Sequence, residues 1–217
     1  MTLPAAKHTP FLFAAQRVLF FLVLALLLPL SAASARIAIP DAQNFVAEMG
    51  AQGILILQQT NLPIEQREAN FRLILEKKFD LNFISRFVLG KNARMATPDQ
   101  MEEYQTLFAE FILRTYASRL SSYAGQKFEI EKAMEAGQND VVVQSVVSGG
   151  EGAPLRADWR VRDVNGVPQI IDVSVEGVSM SITQREEFAS VIHRDGIEGL
   201  LEILRARTMG LPAEGPS

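Results

Sequence analysis

The stretch VSVEGVSMSITQREEFASVI, residues 173–192, changes its hydrophobic period halfway along. Val173 and Val175 alternate with Ser174 and Glu176, the period of two that marks a strand. Beyond Gly177, Phe188, Val191 and Ile192 recur at three- and four-residue spacing, as on one face of a helix. Thr183 followed by Glu186 reads as a capping box, which predicts a helix over residues 184–193. A final helix over residues 197–207 follows the break at Asp195-Gly196. Residues 209–217 read as a disordered tail. A strand that delivers the chain straight into helices places both kinds of element in one domain.

Towards the N-terminus the strand pattern continues. Residues 127–131, 140–147, 155–161 and 167–175 are short alternating or β-branched runs separated by Gly, Asn and Pro, the pattern of an antiparallel meander. In LRADWRV, residues 155–161, Leu155, Ala157, Trp159 and Val161 share one face and Arg156, Asp158 and Arg160 the other. Asp163-Val-Asn165-Gly166 is a hairpin turn.

Before the meander the period is helical. Thr97, Pro98 and Gln100 supply an N-cap, a first helical residue and a capping-box partner for a long helix over residues 98–124, closing at Gly125. Its aromatic face carries Tyr104, Phe108, Phe111, Ile112 and Tyr116. Three shorter helices precede it: residues 41–58 with Asp41 as cap, residues 64–78 carrying Phe71, Ile74 and Leu75, and residues 80–89 ending at Gly90. Helices therefore precede and follow an antiparallel meander.

Residues 1–35 read as a cleaved signal peptide. Lys7 and Arg17 form its basic start, residues 18–30 (VLFFLVLALLLPL) its apolar run, and Ala33-Ser34-Ala35 its small-residue cleavage site. The apolar run is too short for the roughly 20 residues of a membrane span. Its removal takes away two cations and no acid, leaving residues 36–208 as a domain more acidic than the full chain's net charge of −4. An acidic domain without a basic run is unsuited to neutralising phosphates, so no nucleic-acid partner is expected. The absence of cysteine removes disulfides and thiolate chemistry.

Catalytic chemistry is thinly represented. His193 stands near the end of a helix, where a cation favours the local dipole. The serines lack a Gly-x-Ser-x-Gly setting. Asp158 and Asp172 lie on strands, in the outward register, and read as solvated or salt-bridged acids; either one facing inward would favour an enzyme. No metal site is expected. What is abundant is apolar lining: the aromatic face of the long helix, and opposite it Val141, Val143, Trp159, Val161, Ile171, Val173 and Val175 of the sheet. Periodicity alone leaves open whether this lining is a filled core or encloses a cavity.

Several segments, in order, carry a resemblance: Leu89-Gly90, ATPDQ (96–100), FAEF (108–111), TYAS (115–118), YAGQ (123–126), IDV (171–173), VEGVSM (175–180), EFAS (187–190) and GIEGL (196–200). They resemble the MlaC, or toluene-tolerance, family of periplasmic phospholipid-binding proteins, over roughly residues 45–205. A sibling, the hopanoid-associated HpnM family, shares much of the pattern. The resemblance implies an α+β fold: N-terminal and C-terminal helices packed on a curved antiparallel sheet of the nuclear-transport-factor/cystatin-like kind, closing over a deep apolar cavity. The residues of the two apolar faces, with Val178, Met180 and Phe188, would then contact lipid.

The same resemblance implies a periplasmic shuttle, not an enzyme, with phospholipid as cargo and no cofactor. It would move lipid between an inner-membrane ABC-transporter complex containing an MCE-domain protein and an outer-membrane lipoprotein complex, maintaining outer-membrane lipid asymmetry. The head group is expected near solvent, beside Arg185 or another arginine at the mouth. The alternatives are a hopanoid or isoprenoid carrier, an enzyme using the same helix-covered pocket, and a structural envelope protein with a filled core.

Overall fold

The computed structural model describes residues 36–117, 125–149 and 153–209. The leader expected over residues 1–35, the end of the long helix over residues 118–124 and the tail beyond Met209 lie outside the described residues.

Helix α1 (Ile39–Gln58) starts ahead of the cap expected at Asp41. Ala38 is the N-cap and Pro40 stands in the first turn, where its fixed φ suits a helix and its missing N–H leaves no donor unpaired. Asp41 lies in the same turn, beside the positive end of the helix dipole. Helix α2 (Ile64–Lys78) occupies its predicted span and ends on Lys77 and Lys78. Asp80 caps α3 (Leu81–Leu89) by accepting the Phe83 N–H at 2.8 Å. Gly90 then leads into a 3₁₀ segment, Gly90–Met95. Helix α4 (Pro98–Ala117) opens on the expected capping box: Thr97 Oγ1 accepts the Gln100 N–H at 3.2 Å and Gln100 Oε1 accepts the Thr97 N–H at 3.1 Å.

Five antiparallel strands follow in meander order: β1 (Lys127–Ala136), β2 (Asp140–Ser148), β3 (Leu155–Val164), β4 (Val167–Val175) and β5 (Val178–Ser179). Strand β1 runs on past the expected end at Glu131, because a bulge there resets the register and brings Ala133 opposite Val143. Asn165 (φ 56°) and Gly166 (φ 84°) form the β3–β4 turn, with both central residues left-handed as a tight hairpin requires. A second bulge falls in β4: Ile170 opposes Val161 and Asp172 opposes Arg160, so Ile171 is the extra residue. Bulges bend strands and increase their twist, which curves the sheet.

Helix α5 (Met180–Met209) begins earlier than the expected cap at Thr183. Ser179 is the stronger start signal: its Oγ accepts the Ile182 N–H at 3.1 Å, and its carbonyl accepts the Thr183 hydroxyl at 2.9 Å. Thr183 is thereby inside the first turn. The helix is interrupted where the Asp195-Gly196 break was expected, at Gly196 (φ 72°, ψ −175°).

Two apolar clusters result. In one, α3, α4 and α5 bury Val88, Leu89, Tyr104, Phe108, Phe188, Leu200, Leu201 and Leu204 between them. In the other, α1 lays Ala42, Val46 and Met49 over Val141, Val143, Val161 and Ile170 of the sheet. Each such buried aliphatic or aromatic side chain contributes roughly 1.5–3 kcal/mol. Phe79 packs against both clusters, and the backbone beside it is tied to the sheet by the Asp80 N–H donating to the Ile170 carbonyl at 3.0 Å. Bidentate pairing of Arg205 with Glu103, and of Arg72 with Glu110, fastens α4 to α5 and to α2.

Candidate functional site

Between the two clusters the sheet and helices do not close. A chamber of about 350 Å³ lies there. Its helical wall comes from α2 and α3 (Phe71, Leu75, Leu81, Ile84, Val88) and from α4 (Phe108, Ile112, Tyr116), with Phe79 between them in sequence. Its sheet wall is Val147, Leu155, Ala157, Trp159, Val173 and Val175, and the start of α5 adds Met180, Ser181 and Gln184. A second chamber of about 320 Å³ adjoins it under α1, walled by Met49, Gly50, Gly53, Ile54, Leu57 and Phe128. Phe71, Leu75, Phe79, Val147 and Trp159 line both. A broader, open groove continues between α1 and β1, reached past Ile54 and Phe128.

Of the residues expected to line a cavity, Phe108, Ile112, Tyr116, Trp159, Val173, Val175 and Met180 stand on the wall of the main chamber. The others lie elsewhere. Tyr104, Phe111 and Phe188 pack with Phe108 in an aromatic cluster between α4 and α5, with ring centroids 5.8–6.3 Å apart. The aromatic face of α4 is wider than the chamber, and α5 covers the remainder. Val141, Val143 and Val161 are fully buried beneath α1. Ile171 is 4% exposed and off the chamber wall, because the β4 bulge gives the inward position opposite Val161 to Ile170. Val178 is 55% exposed in β5.

The walls contributed by α1, α2 and α3 were not anticipated. Phe71 and Leu75 had the spacing of a buried helix face, but spacing does not say whether the face meets protein or space. The sequence did hold one signal: Gly50 and Gly53 inside α1 are poor helix formers that call for a packing reason. At Gly50 the reason is visible, since a Cβ there would fall 2.3 Å from the Phe128 ring.

Polar groups in the main chamber are few, and Asp172 is the one charged side chain among the described residues on its wall. It is not the outward surface acid expected from alternation. Strand β5 pairs only with Ser174 and Val175, so Asp172 stands at an open strand edge and reaches across to the start of α5. Its Oδ1 accepts the N–H groups of Val173 and Ser181, at 2.9 and 3.2 Å, and its Oδ2 accepts the Ser179 hydroxyl at 2.6 Å. Asp172 thus helps to start a helix. Asp158 keeps to the opposite face of β3, off the chamber wall, with Oδ1 making no hydrogen bond among the described residues. Tyr104 donates its hydroxyl to the Ser85 carbonyl at 3.0 Å, and burial pushes its phenol far above the ordinary value, so it stays neutral.

Arg185 does not reach the chamber wall. Its guanidinium lies over the Phe87 ring, 5.2 Å from the centroid, in the space left by Gly90. His193 is exposed. Among the described residues, no group of three or more His, Cys, Asp or Glu side chains is placed to hold a metal, and no helix is long and apolar enough to cross a membrane. The chemistry this site offers is apolar enclosure.

Comparison with known proteins agrees with that geometry. A family profile described as MlaC protein matches residues 49–206. Over 176 residues the chain is 26% identical to the intermembrane phospholipid transport system binding protein MlaC of Haemophilus influenzae, covering 76% of this chain and 82% of that protein. Over 124 residues it is 27% identical to toluene tolerance protein ttg2D of Pseudomonas putida, covering 57% and 58%. A solved phospholipid-binding protein from Ralstonia solanacearum, in complex with a phospholipid, has the same fold: TM-score 0.68 at 24% identity, over 78% of this chain and 97% of that one.

Proposed function

This chain belongs to the MlaC family, and we propose that it is a periplasmic phospholipid carrier that moves lipid between the inner and outer membranes. The observation that carries the reading is the pair of adjoining apolar chambers, about 350 and 320 Å³, between the sheet and α1–α4. The role named for the Haemophilus influenzae relative, intermembrane phospholipid transport, and the bound lipid of the Ralstonia solanacearum protein support it.

The energetics suit a carrier. Burying one methylene gains about 0.8 kcal/mol, so an acyl chain of roughly 16 carbons gains on the order of 12 kcal/mol on leaving water. A lipid therefore crosses an aqueous compartment only with its tails enclosed. A bilayer offers the same gain, so exchange between bilayer and chamber is nearly balanced. Direction then has to come from partners that bind the loaded and empty states differently. The partners proposed are an inner-membrane ABC-transporter complex with an MCE-domain protein and an outer-membrane lipoprotein complex, with residues 1–35 as the export signal. The protein acts by binding rather than by catalysis, and the lipid is cargo rather than cofactor.

The test is native mass spectrometry of the mature protein purified from the periplasm without detergent, with identification of the released lipid. Near one glycerophospholipid per chain is the expected result. Hopanoid instead would assign the protein to isoprenoid transport. A folded protein that carries no lipid and takes none from vesicles would overturn the carrier reading.

A further inference from the structure

The two chambers share part of their lining, and from the sheet Val147 and Trp159 stand on the wall of both. The Trp159 indole is held from two sides: Nε1–H donates to Ser145 Oγ at 2.8 Å, and the Phe128 ring meets it edge-on, centroids 6.1 Å apart and planes at 66°. Ser145 is fully buried and passes the bond on, its hydroxyl donating to the Ala157 carbonyl at 3.1 Å. Turning the indole away would leave its N–H without this partner in an apolar setting, which holds the ring in place. Across from it, Phe71, Leu75 and Phe79 of α2 and its C-terminal end complete a waist.

Resting on the carrier reading, we infer that Trp159 is a specificity-determining partition: it sends the two tails of a diacyl lipid to opposite sides of its ring, one into each chamber, and disfavours a lipid whose apolar body is one rigid block. Two apolar spaces of nearly equal volume suit two similar flexible chains. A fused-ring isoprenoid cannot divide around a fixed indole and has to fit within a single space. Phospholipid over hopanoid would thus be decided by one side chain and the serine that locks it.

Trp159 is the chain's single tryptophan, so its fluorescence reports directly on what lies against it. The wild-type mature protein is loaded from phosphatidylethanolamine vesicles whose lipid is brominated on the sn-1 chain alone or on the sn-2 chain alone, and binding is counted by native mass spectrometry. The partition predicts that both isomers quench the indole to a similar extent. Quenching by one isomer only, or by neither while lipid is bound, overturns it. Failure of wild type to bind lipid at all overturns the carrier reading instead. In competition between phosphatidylethanolamine and a hopanoid, Trp159→Leu is expected to raise the hopanoid share about tenfold, the scale on which shape discriminates in an apolar pocket. Ser145→Ala, which frees the indole without removing it, is expected to raise it less. Unchanged selectivity in the folded Trp159→Leu protein counts against the partition.

Discussion

The Phe128 ring occupies the place where residue 50 would carry a side chain. A Cβ on Gly50 would lie 2.3 Å from two of its ring carbons, which fixes how closely α1 approaches β1 and how the second chamber is closed. Gly50→Ala is expected to destabilise the fold by about 1–3 kcal/mol, because the clash outweighs the roughly 1 kcal/mol gained in helix propensity. Gly53→Ala is the control: its nearest neighbour is Phe71 at 3.8 Å, an ordinary contact, so the propensity gain survives. Urea unfolding of the two variants should shift in opposite directions.

Val173 and Val143 lie on the same face of the sheet in different surroundings. Val173 faces the chamber beside Trp159, whereas Val143 is sealed under α1. Val173→Phe should fold normally and take up less lipid from vesicles. Val143→Phe should overpack a filled core and cost about 1–3 kcal/mol of stability. Normal lipid loading by a folded Val173→Phe protein would contradict the placement of the tails.

Asp140 is buried at the start of β2 between Arg160 and Arg162, at 2.7 and 2.6 Å. Burial pushes its carboxyl up, but hydrogen bonds from Arg162 and Arg160 outweigh that and hold its pKa below the ordinary value. A folded-state pKa below the unfolded one gives stability that is present above the unfolded value, about 4, and is lost as the pH falls through the folded value. Glu110, held down by its hydrogen bond from Arg72, acts with the same sign. The urea midpoint should therefore fall as the pH drops from about 5 towards 2. Asp140→Asn should lower stability at pH 7 by about 2 kcal/mol and flatten that acid slope.

Gly196 joins the two parts of α5 at φ 72° and ψ −175°, a conformation essentially reserved for glycine. No atom lies within 4 Å of a Cβ built there, so the cost of Gly196→Ala is backbone strain alone, about 1–3 kcal/mol. Thermal unfolding would register the loss. An unchanged melting temperature would mean that the bend is not held by that conformation.

Much of the architecture was legible because it follows from local rules. The capping box at Thr97 and Gln100, the Asn165-Gly166 turn and the Gly196 break each act through a residue's own backbone preferences and near neighbours. Competing local signals account for the small errors: Pro40 and Ser179 started helices ahead of Asp41 and Thr183. The apolar faces were legible too, since period two and period 3.6 show which side of an element avoids water.

What lies against each face was decided only in three dimensions. Phe108 and Tyr116 share the aromatic face of α4 with Tyr104 and Phe111, yet the first two reach the chamber and the others meet Phe188. The bulge at Ile171 exchanged it for Ile170 on the inner face, and the short β5 left Asp172 at an open edge on the chamber wall. Sequence by itself determined the elements, their order and the sides that shun water, because those depend on residues close together in the chain. Tertiary structure decided where apolar faces touch and where they stand apart around Trp159, because a cavity is a property of the distance between elements, and no single element's pattern encodes it.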